Sequence, residues 1–341
     1  MNINLYYFLT IPLLILIFNY FFEKNNILKS LTGDKHQLFI ENKNIPLTGG
    51  IYLFFFSLFF FTTVKSFYLF FIIFLIGFMS DIKLLNSAKL RFLLQVIIIF
   101  FIIINFDLHL NDIKILLFNF FLKYELISYI FFTFCLLIVI NGTNFIDGLN
   151  GLVIGYYLII LSLIVDLNFL SYSQFGNELI IKYIILLFYL LIFNLLNKLY
   201  LGDSGSYLIG LSVGALLISI YNKHDYISPF FIVLLLWYPC FENLFSIIRK
   251  FRFNSSPLIA DNKHLHHLLF YFIKKKFNNS RLFANNFSSL LINSINFIFL
   301  FIGSKFIYNS IVQISLITIL LLIYILIYFL LFKFRYKKIN H

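Results

Sequence analysis

The stretch "NSIVQISLITILLLIYILIYFLLF" (309–332) contains 24 residues and no charged side chain. An apolar run of about 20 residues is long enough to cross the ~30 Å hydrocarbon core of a bilayer as a helix. Ten further apolar runs precede it, several of them shorter. They lie at 4–22, 48–64, 67–79, 92–106, 126–141, 149–165, 179–196, 206–221, 228–247 and 286–303. The sequence predicts an all-α, polytopic integral membrane protein, one domain over residues 1–341 with about 10–11 transmembrane helices.

Composition supports this class of protein. The chain of 341 residues is 61% hydrophobic and only 12% charged, which excludes an ordinary soluble core. The net charge of +12 would also suit a nucleic-acid-binding protein, but the basic residues lie in short segments between apolar runs, so we expect no nucleic-acid partner. Cys135 and Cys240 both lie within apolar runs, and their spacing predicts neither a disulfide framework nor a metal site.

The distribution of Lys and Arg predicts the orientation. Placing segment 23–44 in the cytoplasm puts 20 of the 26 basic residues on the cytoplasmic side, as the positive-inside rule requires. The N-terminus is then outside and the C-terminus cytoplasmic. The first run has no basic residue ahead of it and no small-residue cleavage site, so it reads as a retained helix. The apolar part of 107–125, at 115–122, is too short to cross and is expected at the membrane interface.

With this orientation, the polar clusters that carry chemistry all fall on the cytoplasmic face, which favours an enzyme over a transporter. They are "IPLTGG" (45–50), "SDIKLLNSAKLR" (80–91), "NGTNFIDGLNG" (141–151), "LGDSGS" (201–206) and "DNKHLHHLL" (261–269). Asn, Asp and Gly at helix junctions also serve as caps and turns, so this structural interpretation stays open for the third and fourth clusters.

Asp203 and the histidines suggest more specific chemistry. Mg²⁺ typically takes one or two carboxylates and shares substrate phosphates, which suits an aspartate beside glycines at a helix start. His264, His266 and His267 are open to three interpretations: a zinc site, although no cysteine is near; a neutral surface group; or an anion-binding loop. Asp81, among Lys83, Lys89 and Arg91, suits a site that holds a metal and phosphates together.

In their order, these five motifs resemble the polyprenyl-phosphate N-acetylhexosamine-1-phosphate transferases, the family that includes phospho-N-acetylmuramoyl-pentapeptide transferase. The resemblance covers about residues 34–269 and includes a cytoplasmic substrate-binding loop at about 248–285. It implies a bacterial inner-membrane enzyme that needs Mg²⁺, with Mn²⁺ as a substitute. Such an enzyme transfers a sugar-1-phosphate from a UDP-sugar to a polyprenyl phosphate, usually undecaprenyl phosphate, and releases UMP. The resemblance does not determine whether the protein forms a homodimer. It also leaves the glycan pathway undetermined; the candidates are O-antigen lipopolysaccharide, capsule, teichoic acid and other cell-wall glycans.

The resemblance also assigns residues. Asp203 is implied as the Mg²⁺ ligand, Asp147 as a nucleotide-sugar or metal-site carboxylate, and Asp81 as a catalytic carboxylate near the lipid phosphate. The histidine loop contains "HLHH" (264–267), a form that favours the N-acetylglucosamine-type branch of the family. Asn194 corresponds to an asparagine that precedes the glycine–aspartate motif, at a spacing one residue shorter than in the family. The implied substrate-binding residues are Lys43, Lys89, Arg91, Asn141, Asn144, Asn150, Asn194, Ser204, His264, His266 and His267.

Two positions depart from the family pattern. Ser80 stands where the first of two paired aspartates, a proposed general base, is usual. This loss is tolerable, because a phosphate monoester with a second pKa of about 6 is mostly dianionic at neutral pH. Asn150 stands where a second aspartate is common, which leaves the donor sugar open, with UDP-N-acetylglucosamine first among the candidates. A non-catalytic polyprenyl-phosphate-binding relative and a secondary transporter are the alternatives.

Overall fold

The structure, a computed structural model, is all-helical over the part of the chain that it describes. The described residues are 2–25, 27–28, 45–61, 67–110, 112–169, 176–224, 226–252, 254, 256, 261–277 and 280–336. Helices satisfy their backbone hydrogen bonds internally, which is what a chain must do in lipid. Within these ranges no strand is present, so the predicted all-α class is confirmed.

Fourteen helices are found in the described ranges. They are α1 (Asn2–Lys24), α2 (Gly49–Phe61), α3 (Phe67–Asp81), α4 (Ala88–Phe106), α5 (Leu116–Leu122), α6 (Glu125–Ile146), α7 (Leu152–Asp166), α8 (Gly176–Leu195), α9 (Gly202–Lys223), α10 (Pro229–Leu235), α11 (Trp237–Arg252), α12 (Leu265–Phe277), α13 (Arg281–Ser304) and α14 (Ser310–Tyr336).

Each of the eleven apolar runs coincides with a helix, and the run at 228–247 with a pair of helices. By length and composition, six described helices can cross a membrane: α4, α6, α8, α9, α13 and α14. Joined, α10 and α11 make a seventh candidate, although they bend by 75° at their junction. Helices α2, α3 and α7, with 13, 15 and 15 residues, are shorter than a full crossing needs. The chain is a multi-pass membrane protein, and the total of 10–11 spans stays a prediction.

Helix α9 lies at the centre of the bundle, with 89% of its most apolar window buried inside the protein. Small residues allow its neighbours to approach this closely. A Cβ atom added to Gly210 would lie 2.9 Å from the Thr143 hydroxyl of α6, and one added to Gly214 would lie 2.7 Å from Leu136. Close packing of this kind is the usual means by which membrane helices associate. Because α9 begins at Gly202, its packing fixes the position of the "LGDSGS" motif.

The break between α10 and α11 is stabilised by buried side chains of other helices. The Tyr156 hydroxyl donates to the carbonyl of Leu235 at 2.8 Å, and the indole N–H of Trp237 donates to Asn296 at 2.9 Å. The first bond pairs a backbone carbonyl beside the break and the second pairs a buried indole, in an apolar interior where an unpaired polar group is costly. The break sets the direction in which α11 carries its polar residues.

Candidate active site

Backbone pairing joins the first and fourth motifs at one end of the bundle. The Tyr200 N–H donates to the carbonyl of Pro46, and the N–H groups of Gly49 and Gly50 donate to the carbonyls of Tyr200 and Leu201, each at 3.0 Å. A Cβ atom on Gly50 would overlap Ser204. A glycine is therefore required here for two segments about 150 residues apart to meet.

Asp203 is the centre of the first group of polar side chains. Its Oδ2 accepts hydrogen bonds from the Ser80 hydroxyl and from Arg91 Nη1, each at 2.6 Å, and its Oδ1 accepts from the Asn144 amide at 2.7 Å. The side chains of Arg91 and Asp203 are 24% and 26% exposed, so the ion pair is accessible to solvent. Together with Asp81, these residues form what we call the carboxylate cluster.

Asp81 faces the start of α9. Its carboxylate accepts from the backbone N–H of Asp203 at 2.7 Å, and from the backbone N–H and the hydroxyl of Ser204 at 3.1 and 2.6 Å. The first N–H groups of a helix have no partner within it, and a carboxylate there also interacts favourably with the helix dipole. Asp81 thus holds the N-terminus of α9 and, with it, Asp203. Its role near a lipid phosphate stays a prediction.

Gly202 makes this arrangement sterically feasible. Its backbone has φ of +76°, which side chains rarely adopt, and a Cβ atom there would lie 2.8 Å from an oxygen of Asp81. A glycine directly before Asp203 lets the carboxylate of Asp81 reach the helix start.

Asp147 directly follows the last residue of α6 and is partly exposed. Among the described residues, no donor bonds its carboxylate, which distinguishes it from Asp81 and Asp203. Desolvation by the protein atoms around its carboxylate, followed by the negative charges of Asp203 and Asp81, raises the pKa of Asp147 well above its usual range. The three aspartates are therefore close enough to repel one another.

The histidine loop packs against the third motif. Position 148 leaves no room for a side chain, because a Cβ atom on Gly148 would lie 2.6 Å from His266 Nε2 and 2.7 Å from His267 Cε1. The His266 and His267 rings lie 4.1 Å apart, centroid to centroid. His266 is fully buried and neither ring nitrogen has a hydrogen-bond partner, and burial lowers its pKa to about 3.

His264, by contrast, is paired with acids. Its Nδ1 lies 2.9 Å from Glu242 Oε1, and the second Glu242 oxygen accepts from the Tyr324 hydroxyl at 2.7 Å. Arg249 donates to Asp261 at 3.0 Å. His264, Glu242, Tyr324, Arg249 and Asp261 form what we call the histidine cluster. Because a carboxylate only accepts, the contact with Glu242 assigns the hydrogen to Nδ1 of His264.

The asparagines predicted to bind substrate make contacts within the protein. Asn141 donates to Gln95 at 3.1 Å. Asn194 accepts from the Gly151 N–H at 2.5 Å and donates to the carbonyl of Leu199 at 2.9 Å. The side chain of Asn150 is buried and lies 3.4 Å from Asn197. These contacts shape the loop around Asp147, and substrate binding by these residues stays a prediction.

Of the two lysines predicted to bind substrate, only Lys89 lies within the described residues. Lys89 is exposed on the first turn of α4, on the same helix as Arg91. Lys43 lies outside the residues that the structure describes, so its predicted role stays a prediction.

Sequence reasoning missed several side chains that hold the site together. Glu242 is one, and its position inside the apolar run 228–247 was a usable signal, since an acid in lipid needs a partner. Asn285 and Asn293 of α13 are others: they bind the Asn150 N–H at 2.7 Å and the Gly151 carbonyl at 3.0 Å. No local pattern indicates which loop these asparagines would meet.

The residues present fit Mg²⁺ when the ion shares its coordination with a ligand. Asp147 offers carboxylate oxygens that no described donor occupies, and Asp203 is a second hard oxygen donor beside it. Among the described residues, no group of three or more His, Cys, Asp or Glu side chains is arranged to hold a metal by itself. Such a set suits an ion that also binds phosphate and water, and it does not suit a closed structural site.

The fold and these clusters define a class: a multi-pass membrane protein with carboxylates and histidines gathered where its helices end. Residues 63–221 match the model of glycosyl transferase family 4. The matched region, less than half of the chain, lies within residues 34–269 and agrees with the resemblance inferred from the motifs.

Three relatives of the chain are named as polyprenyl-phosphate N-acetylglucosamine phosphotransferases or 1-phosphate transferases. The chain is 33% identical over 152 residues to a decaprenyl-phosphate N-acetylglucosaminephosphotransferase of Mycolicibacterium smegmatis, covering 38% of this chain and 37% of the relative. It is 30% identical over 206 residues to a probable undecaprenyl-phosphate N-acetylglucosaminyl 1-phosphate transferase of Bacillus subtilis, covering 59% and 56%. A Thermotoga maritima undecaprenyl-phosphate alpha-N-acetylglucosaminyl 1-phosphate transferase is 26% identical over 231 residues, covering 67% and 69%. The matches thus span between about a third and two thirds of the relatives' lengths.

Proposed function

We propose that the protein is a phosphoglycosyltransferase of the bacterial inner membrane. It transfers an N-acetylhexosamine-1-phosphate, with N-acetylglucosamine-1-phosphate as the leading candidate, from a UDP-sugar to a polyprenyl phosphate such as undecaprenyl phosphate. The observation that carries the proposal is the meeting of Asp203, Arg91 and Asn144, from α9, α4 and α6, inside the region that matches glycosyl transferase family 4. The names of the relatives support the same reaction.

The reaction joins two anions, so its main obstacle is charge repulsion. An oxygen of the lipid phosphate forms a bond to the sugar-linked phosphorus of the donor, the bond from that phosphorus to the bridging oxygen breaks, and UMP leaves with the electron pair. Positioning and charge neutralisation supply most of the catalysis in such transfers. Bound Mg²⁺ would neutralise phosphate charge and polarise the reacting phosphorus.

The residues of the chain supply the rest. Asp203 and Asp147 are the residues that would hold Mg²⁺. Arg91 and Lys89 provide positive charge for phosphate oxygens, and the histidine loop packs against Gly148, the residue after Asp147. Asp81 fixes Asp203 through the start of α9. No general base is required, because the lipid phosphate is mostly dianionic at neutral pH.

The test is direct. Purified protein, Mg²⁺ and undecaprenyl phosphate are incubated with a panel of UDP-sugars, and UMP release and the mass of the lipid product are measured. We expect stoichiometric UMP and a lipid-linked sugar diphosphate with one donor, and we expect chelator to stop both. If the protein binds undecaprenyl phosphate but releases no UMP from any donor, the result favours a non-catalytic relative. Ser80 and Asn150 are the reason to consider this alternative, because both depart from the family pattern.

We further propose that the site opens to the cytoplasm, on the strength of the distribution of Lys and Arg. Single cysteines at Lys198 and Lys305, in a chain lacking Cys135 and Cys240, test this orientation, because both positions are exposed. An impermeant maleimide added to intact spheroplasts should label position 305 and leave position 198 unlabelled. The opposite labelling would reverse the topology.

A further inference from the structure

Arg91 occupies the side of Asp203 that a metal ion would need. Arg91 Nη1 bonds Asp203 Oδ2 and the Ser80 hydroxyl, and that hydroxyl donates to the same Oδ2. Asn144 takes the other oxygen, Oδ1. In this arrangement both oxygens of Asp203 are satisfied by the protein itself.

Ser80 explains why Arg91 pairs with this carboxylate. The neighbouring Asp81 is committed to the start of α9 through both of its oxygens. An acid at position 80 would offer Arg91 another partner. A serine carries no charge. Among the described residues, Asp203 is the only carboxylate that pairs with Arg91.

The ion pair between Arg91 and Asp203 is accessible enough for a ligand to replace either partner. About a quarter of each side chain is exposed, so water can replace either partner without unfolding of the helices. Solvent-accessible ion pairs contribute little net free energy, because both ions are well hydrated when apart. The guanidinium also matches phosphate oxygens well, since its planar fork donates two parallel hydrogen bonds.

We propose that Arg91 is the counter-ion of Asp203 until a divalent cation binds there, and that Arg91 then leaves Asp203 and donates to the diphosphate of the nucleotide sugar. This inference rests on the proposed function. It predicts coupling: a diphosphate that draws Arg91 away from Asp203 raises the affinity for the cation, and the cation raises the affinity for the diphosphate by the same factor.

The test measures Mn²⁺ affinity, with Mn²⁺ as the probe ion, by electron paramagnetic resonance titration of the purified full chain. Removing the competitor in Arg91→Gln should tighten Mn²⁺ binding by about fivefold, the upper end of what a solvent-accessible ion pair contributes. The matched control is Lys198→Gln. It removes the same charge from an exposed position near α9 and should change the affinity by less than about twofold.

A second measurement separates competition from a structural role. UDP should tighten Mn²⁺ binding to the wild type, and this coupling should be much smaller in Arg91→Gln. The same variant should bind UDP more weakly while it binds Mn²⁺ more tightly. A variant that had merely lost its structure would lose both affinities, so the opposite signs identify the exchange.

Clear outcomes overturn the inference. Unchanged or weaker Mn²⁺ binding in Arg91→Gln means that the guanidinium does not compete for Asp203. Should that variant fail to fold, Ser80→Ala replaces it, because it removes the hydroxyl that holds Arg91 in place; unchanged affinity there overturns the inference too. Asp203→Asn distinguishes the failure of the underlying proposal, since undiminished Mn²⁺ binding in that variant shows that the metal lies elsewhere.

Discussion

Arg91 and Asp203 of the carboxylate cluster are each about a quarter exposed, whereas His264 and Glu242 of the histidine cluster are 6% and 1% exposed. The first cluster joins side chains of different helices, and the second joins α11 to α14 and to the loop that precedes α12. In the first, water and ligands reach the charges. In the second, α11 and α14 enclose the charges.

This difference separates two kinds of role. An accessible pair contributes little to folding and can be rearranged by a ligand, which suits binding and chemistry. A buried pair is costly to disturb from one side, because the remaining charge has no partner. The carboxylate cluster is therefore expected to control turnover, and the histidine cluster to control stability and the placement of the loop.

The largest expected effect follows from Asp203→Asn. Turnover, measured as UMP release, should fall by at least about a hundredfold, as when a preorganised charge is lost from an active site. The melting temperature should change little, because the amide keeps the shape and the pair is accessible. Asp166→Asn, at the end of α7, is the control and should retain activity. Near-normal turnover in Asp203→Asn would refute the assignment.

The second-largest expected effect is on stability and tests the buried histidine cluster. Glu242→Gln should lower the free energy of unfolding by about 3 kcal/mol, because it removes the charge that His264 and Tyr324 both face. Thermal unfolding in detergent measures this loss. In the matched control Glu178→Gln, the side chain is 60% exposed beside Lys182, so the loss should be much smaller. Equal losses in the two variants would contradict the distinction between the clusters.

A pH effect comes from His266. Burial lowers its pKa to about 3, partly opposed by the charge of Glu242, whereas an unfolded histidine titrates at about 6.5. The unfolded chain therefore binds the proton more readily, so stability is complete above pH 6.5 and is lost as pH falls toward 3. At pH 5 the loss should be about 2 kcal/mol.

His266→Phe supplies the comparison for this effect. The variant lacks the titrating group, so its stability should fall less steeply between pH 7 and pH 5 than that of the wild type, measured by thermal unfolding at each pH. Parallel curves for the two proteins would show that His266 is protonated as easily in the folded chain as in the unfolded one.

The smallest expected effect tests the contact of helix α14 with Glu242. Tyr324→Phe removes a hydroxyl 2.7 Å from Glu242 and should reduce the free energy of unfolding by about 1.5 kcal/mol. Tyr328→Phe is the control, because its hydroxyl accepts a longer bond, of 3.3 Å, from Arg249. We expect the first variant to melt at the lower temperature; the reverse order would assign the support of the loop to Arg249.

The amino-acid sequence was sufficient to predict the class of fold. All eleven apolar runs became helices, because the requirement for satisfied backbone hydrogen bonds in lipid acts locally on each run. It also located the polar motifs, since acids and histidines are conspicuous between apolar segments. Asp203 and the histidine loop were identified as candidates in this way.

Only the tertiary structure decided how these residues are used. Ser80 and Asp203 are 123 residues apart, and Glu242 and Tyr324 are 82 apart, so neither contact leaves a local pattern. The commitment of Asp81 to the start of α9 likewise depends on how α3 and α9 pack, since a pattern of residues states which groups are present and helix packing decides which of them meet.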